Sequence, residues 1–268
     1  MVRSLTCIAA LISSLAAGSV SAASCGNTSS GFDAWKNEFA GEVQRAGIGS
    51  AGLNALASAT YSTKTIHADR NQKGVKYALN DFIRIRLGSL DSFAAGAKKR
   101  KAQRANFFAN VEARYGVPAG ILLAIHGMET GYGRTMGSVP VVSSILTVAY
   151  DCRRASFFTP HALAALQMVD RGMLSPTQKG AFHGELGHTQ FLPGNAMRYG
   201  VDGSGDGVVD FYNEYDALAS TANFLRQKGW QAGQSYQEGS QNFRVLNEWN
   251  AATVYQQAIA LSAAKIDG

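Results

Sequence analysis

The sequence predicts a mainly α-helical protein with a loop-rich middle. Apolar residues recur at helical spacing over most of the chain, and only Val208-Val209-Asp210-Phe211 reads as a strand. Glycines thicken at Gly127, Gly131, Gly133 and Gly137 and again between Gly184 and Gly207, so loops concentrate there. The 268 residues are 46% apolar and 16% charged, enough to bury a real core and too apolar for disorder. No fixed period runs through the chain, which excludes coiled-coil, collagen-like and repeat architectures.

The first residues read as an export signal. Arg3 precedes an uncharged apolar stretch from Leu5 to Ala17, and Val20-Ser21-Ala22-Ala23 supplies small residues for cleavage after Ala22 or Ala23. The apolar stretch is shorter than the about 20 residues that a membrane span needs. A lipid anchor through Cys25 is the lesser alternative, because Ala22-Ala23-Ser24 lacks the usual leucine. With Cys7 removed, Cys25 and Cys152 remain, and in an oxidising compartment they point to one disulfide, two free buried thiols being the alternative. The net charge is +6 and falls to +5 once Arg3 leaves with the signal. Lys98-Lys99-Arg100-Lys101 with Arg104 reads first as a solvated helix face. For an exported protein its second reading is contact with an anionic surface polymer, not nucleic acid.

Along the mature chain, Phe32, Trp35, Phe39, Val43 and Ala46 share one helical face that stops at Gly47. Short helices are expected around Leu53 to Leu56 and around Tyr77, Phe82, Ile83 and Leu87. One long helix is expected from about Ser92 to Arg114. Tyr115-Gly116-Val117-Pro118 ends it and opens a buried helix through Ile121-Leu122-Leu123-Ala124-Ile125, since Pro suits a first helical turn. Further helices are expected at Ser143 to Ala149, Pro160 to Val169, Asp216 to Gln227 and Ala251 to Ala264.

Glu129 is singled out by where it falls. It follows the buried helix and precedes Thr130-Gly131-Tyr132-Gly133. A carboxylate at a helix C-terminus meets the negative end of the helix dipole, and apolar neighbours Ile125 and Met128 penalise its charged form. Both effects raise the pKa, as a general acid near neutral pH requires. A Glu merely hydrogen-bonded at a helix end is the plainer reading of this feature alone.

Six blocks then resemble, in order, the membrane-bound B type of lytic murein transglycosylases. They are Tyr115-Gly116-Val117-Pro118, Ala124 to Gly133, Ala149-Tyr150-Asp151-Cys152-Arg153-Arg154, Gly184 to Pro193, Ala219 to Leu225 with Gly229-Trp230, and Trp249 to Tyr255. The resemblance implies a lysozyme-like α-helical fold and cleavage of the β-1,4 bond between N-acetylmuramic acid and N-acetylglucosamine, leaving 1,6-anhydromuramoyl ends. It implies Glu129 as the single acid/base, because the substrate's own C6 hydroxyl attacks in place of water. Glycosidases otherwise need a second carboxylate roughly 5–9 Å away; Glu185 and Asp151 are the candidates, the first an unlikely participant and the second a structural ion pair beside Arg153 and Arg154. Gln190, Asn250, Tyr255 and Trp249 are implied in sugar binding, with Tyr132 and Tyr199 as weaker aromatic candidates. Ala181, Phe224 and His126 depart from the family's Ser, Tyr and Trp.

Asp202-Gly203-Ser204-Gly205-Asp206-Gly207-Val208 begins like an EF-hand loop, with oxygens at positions 1, 3 and 5 and Gly at 6. Asn213 stands at position 12 where Glu is usual, and Asp216 at position 15 can close the site. The expected ligands of a structural Ca²⁺ are Asp202, Ser204, Asp206, the Val208 carbonyl and Asp216; a metal-free Asp/Gly turn is the alternative. His183-Gly184-Glu185-Leu186-Gly187-His188 lacks the spacing of a helical zinc motif.

The organisation expected is a signal at 1–22, an N-terminal helical region at 23–115, a catalytic core at 116–235 with the EF-hand-like insertion at 202–216, and a segment at 236–268 completing the cleft. The expected protein is a periplasmic or secreted monomer acting on peptidoglycan glycan strands. It needs no cofactor for catalysis and has no transmembrane span, and membership of a cell-wall enzyme complex is left open. A lysozyme-type hydrolase and a wall-binding module without turnover are the competing readings.

Overall fold

The computed structural model describes residues 23–71 and 77–268. The export signal lies outside the described residues. Among the described residues thirteen α-helices surround two minimal strands. The N-terminal layer comprises α1 (Phe32–Arg45), α2 (Ser50–Ser58), α3 (Thr63–Arg70) and α4 (Leu79–Leu87). The face read from Phe32, Trp35, Phe39 and Val43 is buried as expected, and the chain turns at Gly47 with φ 73°.

The long helix expected from Ser92 to Arg114 is two helices, α5 (Leu90–Gln103) and α6 (Ala105–Tyr115). The break falls at Arg104, whose backbone leaves helical geometry at φ −125° and ψ 33°. Its guanidinium there pairs with Glu214 at 2.8 Å, a partner too far along the chain for local periodicity to reveal. The basic run is therefore not one solvated face. Lys98 and Lys99 are exposed, but Lys101 pairs with Asp267 and Arg100 lies 4.0 Å above the Tyr132 ring.

The centre of the molecule is α7 (Ala119–Thr130), in which ten of twelve residues are buried. It runs against α13 (Thr253–Asp267) so closely that a Cβ at Gly120 would sit 2.6 Å from the Ala263 carbonyl oxygen. The Asp267 carboxylate accepts from the Gly120 N–H at 3.0 Å, satisfying one of the free donors of the first turn. Truncating a residue such as Leu122 here would cost about 2–5 kcal/mol through lost burial and a residual cavity. Trp230, fully buried, donates its indole N–H to the Gly116 carbonyl at 2.8 Å and fixes the turn into α7.

A second buried helix, α8 (Val141–Tyr150), packs on α9 (Ala155–Asp170). The latter starts five residues before the expected Pro160, which is accommodated within its early turns. Strands β1 (Val139–Pro140) and β2 (Lys179–Gly180) pair antiparallel. The strand expected at Val208-Val209-Asp210-Phe211 does not form. Its donors are taken by side chains, the Val208 N–H by Asp206 and the Asp210 N–H by Asp216, both at 2.9 Å. Helices α10 (Pro193–Tyr199), α11 (Glu214–Gln227) and α12 (Gln241–Trp249) complete the fold.

Asp151 is a structural ion pair, but with a different partner from the one expected. It binds Arg70 at 2.7 Å, while Arg153 and Arg154 both engage the buried Asp69. Cys25 and Cys152 are bonded, with Cα atoms 4.9 Å apart.

Candidate active site

Glu129 is the penultimate residue of α7, inside the helix and not directly after it as the sequence suggests. Gly131 takes the left-handed conformation at φ 58° and ends the helix there, so the carboxyl group projects from its last turn. It opens on a groove of about 760 Å³, walled by Arg86 of α4, the 134–139 and 180–185 segments, Gln190, Phe224, and Trp249-Asn250 at the end of α12.

The carboxyl group is held by two neutral donors. Tyr255 O–H donates to Oε1 at 2.7 Å and the Trp249 indole N–H donates to the same oxygen at 3.1 Å. Burial raises the Glu129 pKa, opposed by these two hydrogen bonds and by the positive charge of Arg86 and reinforced by Glu185. Because Oε1 receives both donors, Oε2 is the oxygen left to carry a proton toward the groove. Tyr255 remains a phenol, its own pKa pushed well above 10 by burial and by the adjacent carboxyl.

Three carboxylates line the groove, and their partners separate them. Glu248 is ion-paired to Lys228 at 2.7 Å. Glu185 accepts from the His183 backbone N–H at 3.0 Å and meets its Nδ1 at 3.2 Å. Glu129 is bonded to the Tyr255 hydroxyl and the Trp249 indole, both uncharged donors.

Gln190 lines the same groove. It sits in a tight turn closed by the Leu186–Phe191 bridge, at φ 57°, a region that non-glycine residues seldom occupy. Its side-chain amide donates to the Gly187 carbonyl at 2.7 Å. Asn250 and Trp249 line the groove as expected, the indole packed edge-on against Phe191 and Phe224. Tyr255 does not line it, because its hydroxyl is spent on Glu129 from behind. Tyr199 is only 4% exposed with its ring against Phe224, so it belongs to the core and not to the cleft wall. Tyr132 is likewise elsewhere, clasped between Phe93 and Arg100. Arg86, Arg134 and Asn195 line the groove although no motif marked them.

Of the expected calcium ligands, the three carboxylates come together. Carboxylate oxygens of Asp202, Asp206 and Asp216 lie within 4.8 Å of one another. Asp216 is fully buried and accepts from the N–H groups of Gly203, Ser204 and Asp210. The Gly207 and Gly205 N–H groups hold Asp202 below the usual carboxylate range, so it stays ionised. Three converging anions with a hydroxyl beside them are a donor set that fits a hard divalent cation. The Ser204 hydroxyl donates to Asp202 and keeps lone pairs for an ion.

A helical core in which one of two buried helices ends in a carboxyl facing a groove is that of the lysozyme-like class. The chain matches the model of the transglycosylase SLT domain over residues 31–240 and belongs to that family. It is 36% identical over 121 residues to membrane-bound lytic murein transglycosylase B of Escherichia coli strain K12. That match covers 44% of this chain and about a third (34%) of the relative. SltB3 of Pseudomonas aeruginosa, solved with NAG-NAM-pentapeptide, superposes with a TM-score of 0.80 at 28% identity over 88% of this chain and 80% of its own. Escherichia coli Slt35, solved with calcium, shares the fold with a TM-score of 0.73 at 20% identity, covering 91% of this chain and 96% of its own.

Proposed function

We propose that the protein is a peptidoglycan lytic transglycosylase that cleaves the MurNAc–GlcNAc β-1,4 bond, with Glu129 as its single acid/base. The observation that carries this reading is the bonding of Glu129, a groove-facing carboxyl raised in pKa by burial and held only by Tyr255 and Trp249. Neutral Glu129 donates its Oε2 proton to the glycosidic oxygen as the bond from C1 breaks. The carboxylate so formed is stabilised by the same two donors and takes the proton of the C6 hydroxyl, whose oxygen closes onto C1. Atoms balance without water, and the product is a 1,6-anhydromuramoyl end and a free N-acetylglucosamine 4-hydroxyl.

Among the described residues the two other groove carboxylates already have partners, which supports this chemistry. Glu185 and Glu248 are already engaged by His183 and Lys228. Gln190, Asn250 and Trp249 present amides and an indole edge, groups that bind saccharides without charge. SltB3 in complex with peptidoglycan fragments supports a glycan-strand substrate for this chain.

The remaining parts of the reading are consistent with an exported enzyme. No helix among the described residues is long and apolar enough to cross a membrane. A periplasmic or secreted monomer is proposed, with its catalytic core at 116–235 and the flanking helical segments completing the cleft. A Ca²⁺ ion is assigned to Asp202, Ser204, Asp206, Val208 and Asp216, where it would supply charge compensation that stiffens the loop. The decisive experiment digests purified peptidoglycan and weighs the fragments. Anhydro ends, one water lighter than reducing ends, are expected; reducing ends would replace this reading with hydrolysis.

A further inference from the structure

One turn before Glu129 on the same helix, His126 is fully buried. Its Nε2 lies 2.9 Å from Nδ1 of His188, so one imidazole donates to the other. Burial holds His126 neutral, its pKa pushed down to about 3. The far nitrogen, Nδ1, faces Glu214 at 3.7 Å, and Glu214 is itself tied to Arg104.

His188 stands two residues before Gln190, inside the turn closed by Leu186 and Phe191. A second bond joins the same elements, for the Thr130 hydroxyl donates to the His188 carbonyl at 2.7 Å and accepts from the Gly133 N–H at 2.9 Å. His126 and Thr130, before and after Glu129 in the helix, therefore grip one residue of the turn that carries Gln190. Dispersion alone would fill this space without fixing its register, whereas a hydrogen bond between two ring nitrogens is directional. Gln190 needs such support, because its positive φ persists only where the surroundings impose it.

We propose that His126 and His188 are positioning residues that fix Gln190, through its turn, relative to the helix that carries Glu129 into the same groove. The proposal rests on the transglycosylase reading for its kinetic consequence but not for its structural one. Displacing a binding group by about 1 Å costs on the order of 10²-fold in rate.

The test is a double-mutant cycle with a readout that needs no turnover. His126→Phe keeps a ring and removes both nitrogens, whereas His126→Gln keeps a polar group near the Nε2 position. We expect His126→Phe and His188→Phe each to lower kcat on soluble glycan strands by about 10-fold or more, and the double variant to be no worse than the poorer single. His126→Gln should recover most of the loss. The NMR signal of the Gln190 side-chain amide should move in His126→Phe and return in His126→Gln. Losses that multiply in the double variant, or an unmoved Gln190 signal, would overturn the proposal. Should His126→Phe not fold, the Gln190 signal in His188→Phe decides alone. A parent enzyme that yields no anhydro ends would sink the transglycosylase reading, while the Gln190 signal would still judge the positioning role.

Discussion

Tyr255 and Glu129 stand 126 residues apart in sequence and are joined by a 2.7 Å hydrogen bond in which the phenol donates to Oε1. The bond favours the carboxylate over the acid, so it works against the burial that raises the Glu129 pKa. Tyr255→Phe keeps the ring and removes the donor. A hydrogen bond to a charged group contributes about 1.5–3 kcal/mol, so the carboxylate formed after the first proton transfer should be harder to reach, by roughly 10-fold or more in kcat. The Glu129 pKa should rise further, moving the alkaline limb of kcat/KM to higher pH. A pH–rate profile on soluble glycan strands checks both, and a limb that moved to lower pH would contradict the assignment.

Glu129→Gln should fold normally, since the amide oxygen can still accept from Tyr255 and Trp249. It should lose about 10²–10⁴-fold in release of soluble muropeptides, the usual contribution of a general acid.

The same substitution has a stability signature with a definite sign. A carboxyl whose folded pKa lies above its unfolded value contributes stability below the unfolded pKa, and that contribution is lost as pH rises through the folded one. Glu129 is such a group. The parent should therefore lose stability relative to Glu129→Gln as pH rises through the raised Glu129 pKa. Thermal melts of both proteins across that range measure the difference, and a parent that gained stability relative to Glu129→Gln with rising pH would show that the carboxyl is not held in its acid form.

How much of this was legible depended on distance along the chain. The run Ile121 to Ile125 announced a buried helix because its signal is local, and α7 is that helix. The break at Arg104 was invisible, since its partner Glu214 lies 110 residues away. Glu129 could be read as an acid from its helix end and neighbours, but not the two donors that hold Oε1, which arrive from α12 and α13. Tyr199 could be read from sequence either as a sugar-binding aromatic or as core packing, and its ring fills the core against Phe224. Arg86 and Arg134 carry no periodic or motif signal, so only the folded groove places them. Residue types and helical faces are local properties; groove walls are not.

The disulfide clamps the first described residues onto the end of α8. Gly26 donates to the Tyr150 carbonyl at 3.0 Å, Cys152 donates to the Gly26 carbonyl at 3.2 Å, and the Tyr150 hydroxyl reaches the Thr28 carbonyl at 2.9 Å. Closing a loop between residues 127 apart restricts the unfolded chain far more than the folded one. Replacing both cysteines by Ser should cost about 2–4 kcal/mol, which is roughly 5–15 °C in Tm for a chain of this size. The groove lies elsewhere, so kcat at a temperature well below the transition should stay within about two-fold of the parent. Calorimetry and a turnover assay on the same sample would settle it, an unchanged Tm counting against the clamp.

Asp216 couples the calcium-type loop to the catalytic region. It is buried at the start of α11, and its two oxygens gather the loop N–H groups of Gly203, Ser204 and Asp210. The same stretch reaches the Gln190 turn, where the His188 N–H donates to the Phe211 carbonyl at 3.0 Å. Three mutually repelling carboxylates favour the folded loop less without a cation, so Ca²⁺ at about 100 times its Kd should add about 2.7 kcal/mol. That is roughly 5–10 °C in Tm for a protein of this length. Chelation should remove the gain and raise KM by loosening the turn that carries Gln190. Asp206→Asn, at an exposed position where the amide oxygen can still accept from the Val208 N–H, should abolish the response to Ca²⁺ while leaving the chelated Tm near that of the parent. Melting curves across a calcium titration of both proteins carry the test, and a parent whose Tm ignores the ion would mean that the backbone N–H groups alone hold the loop.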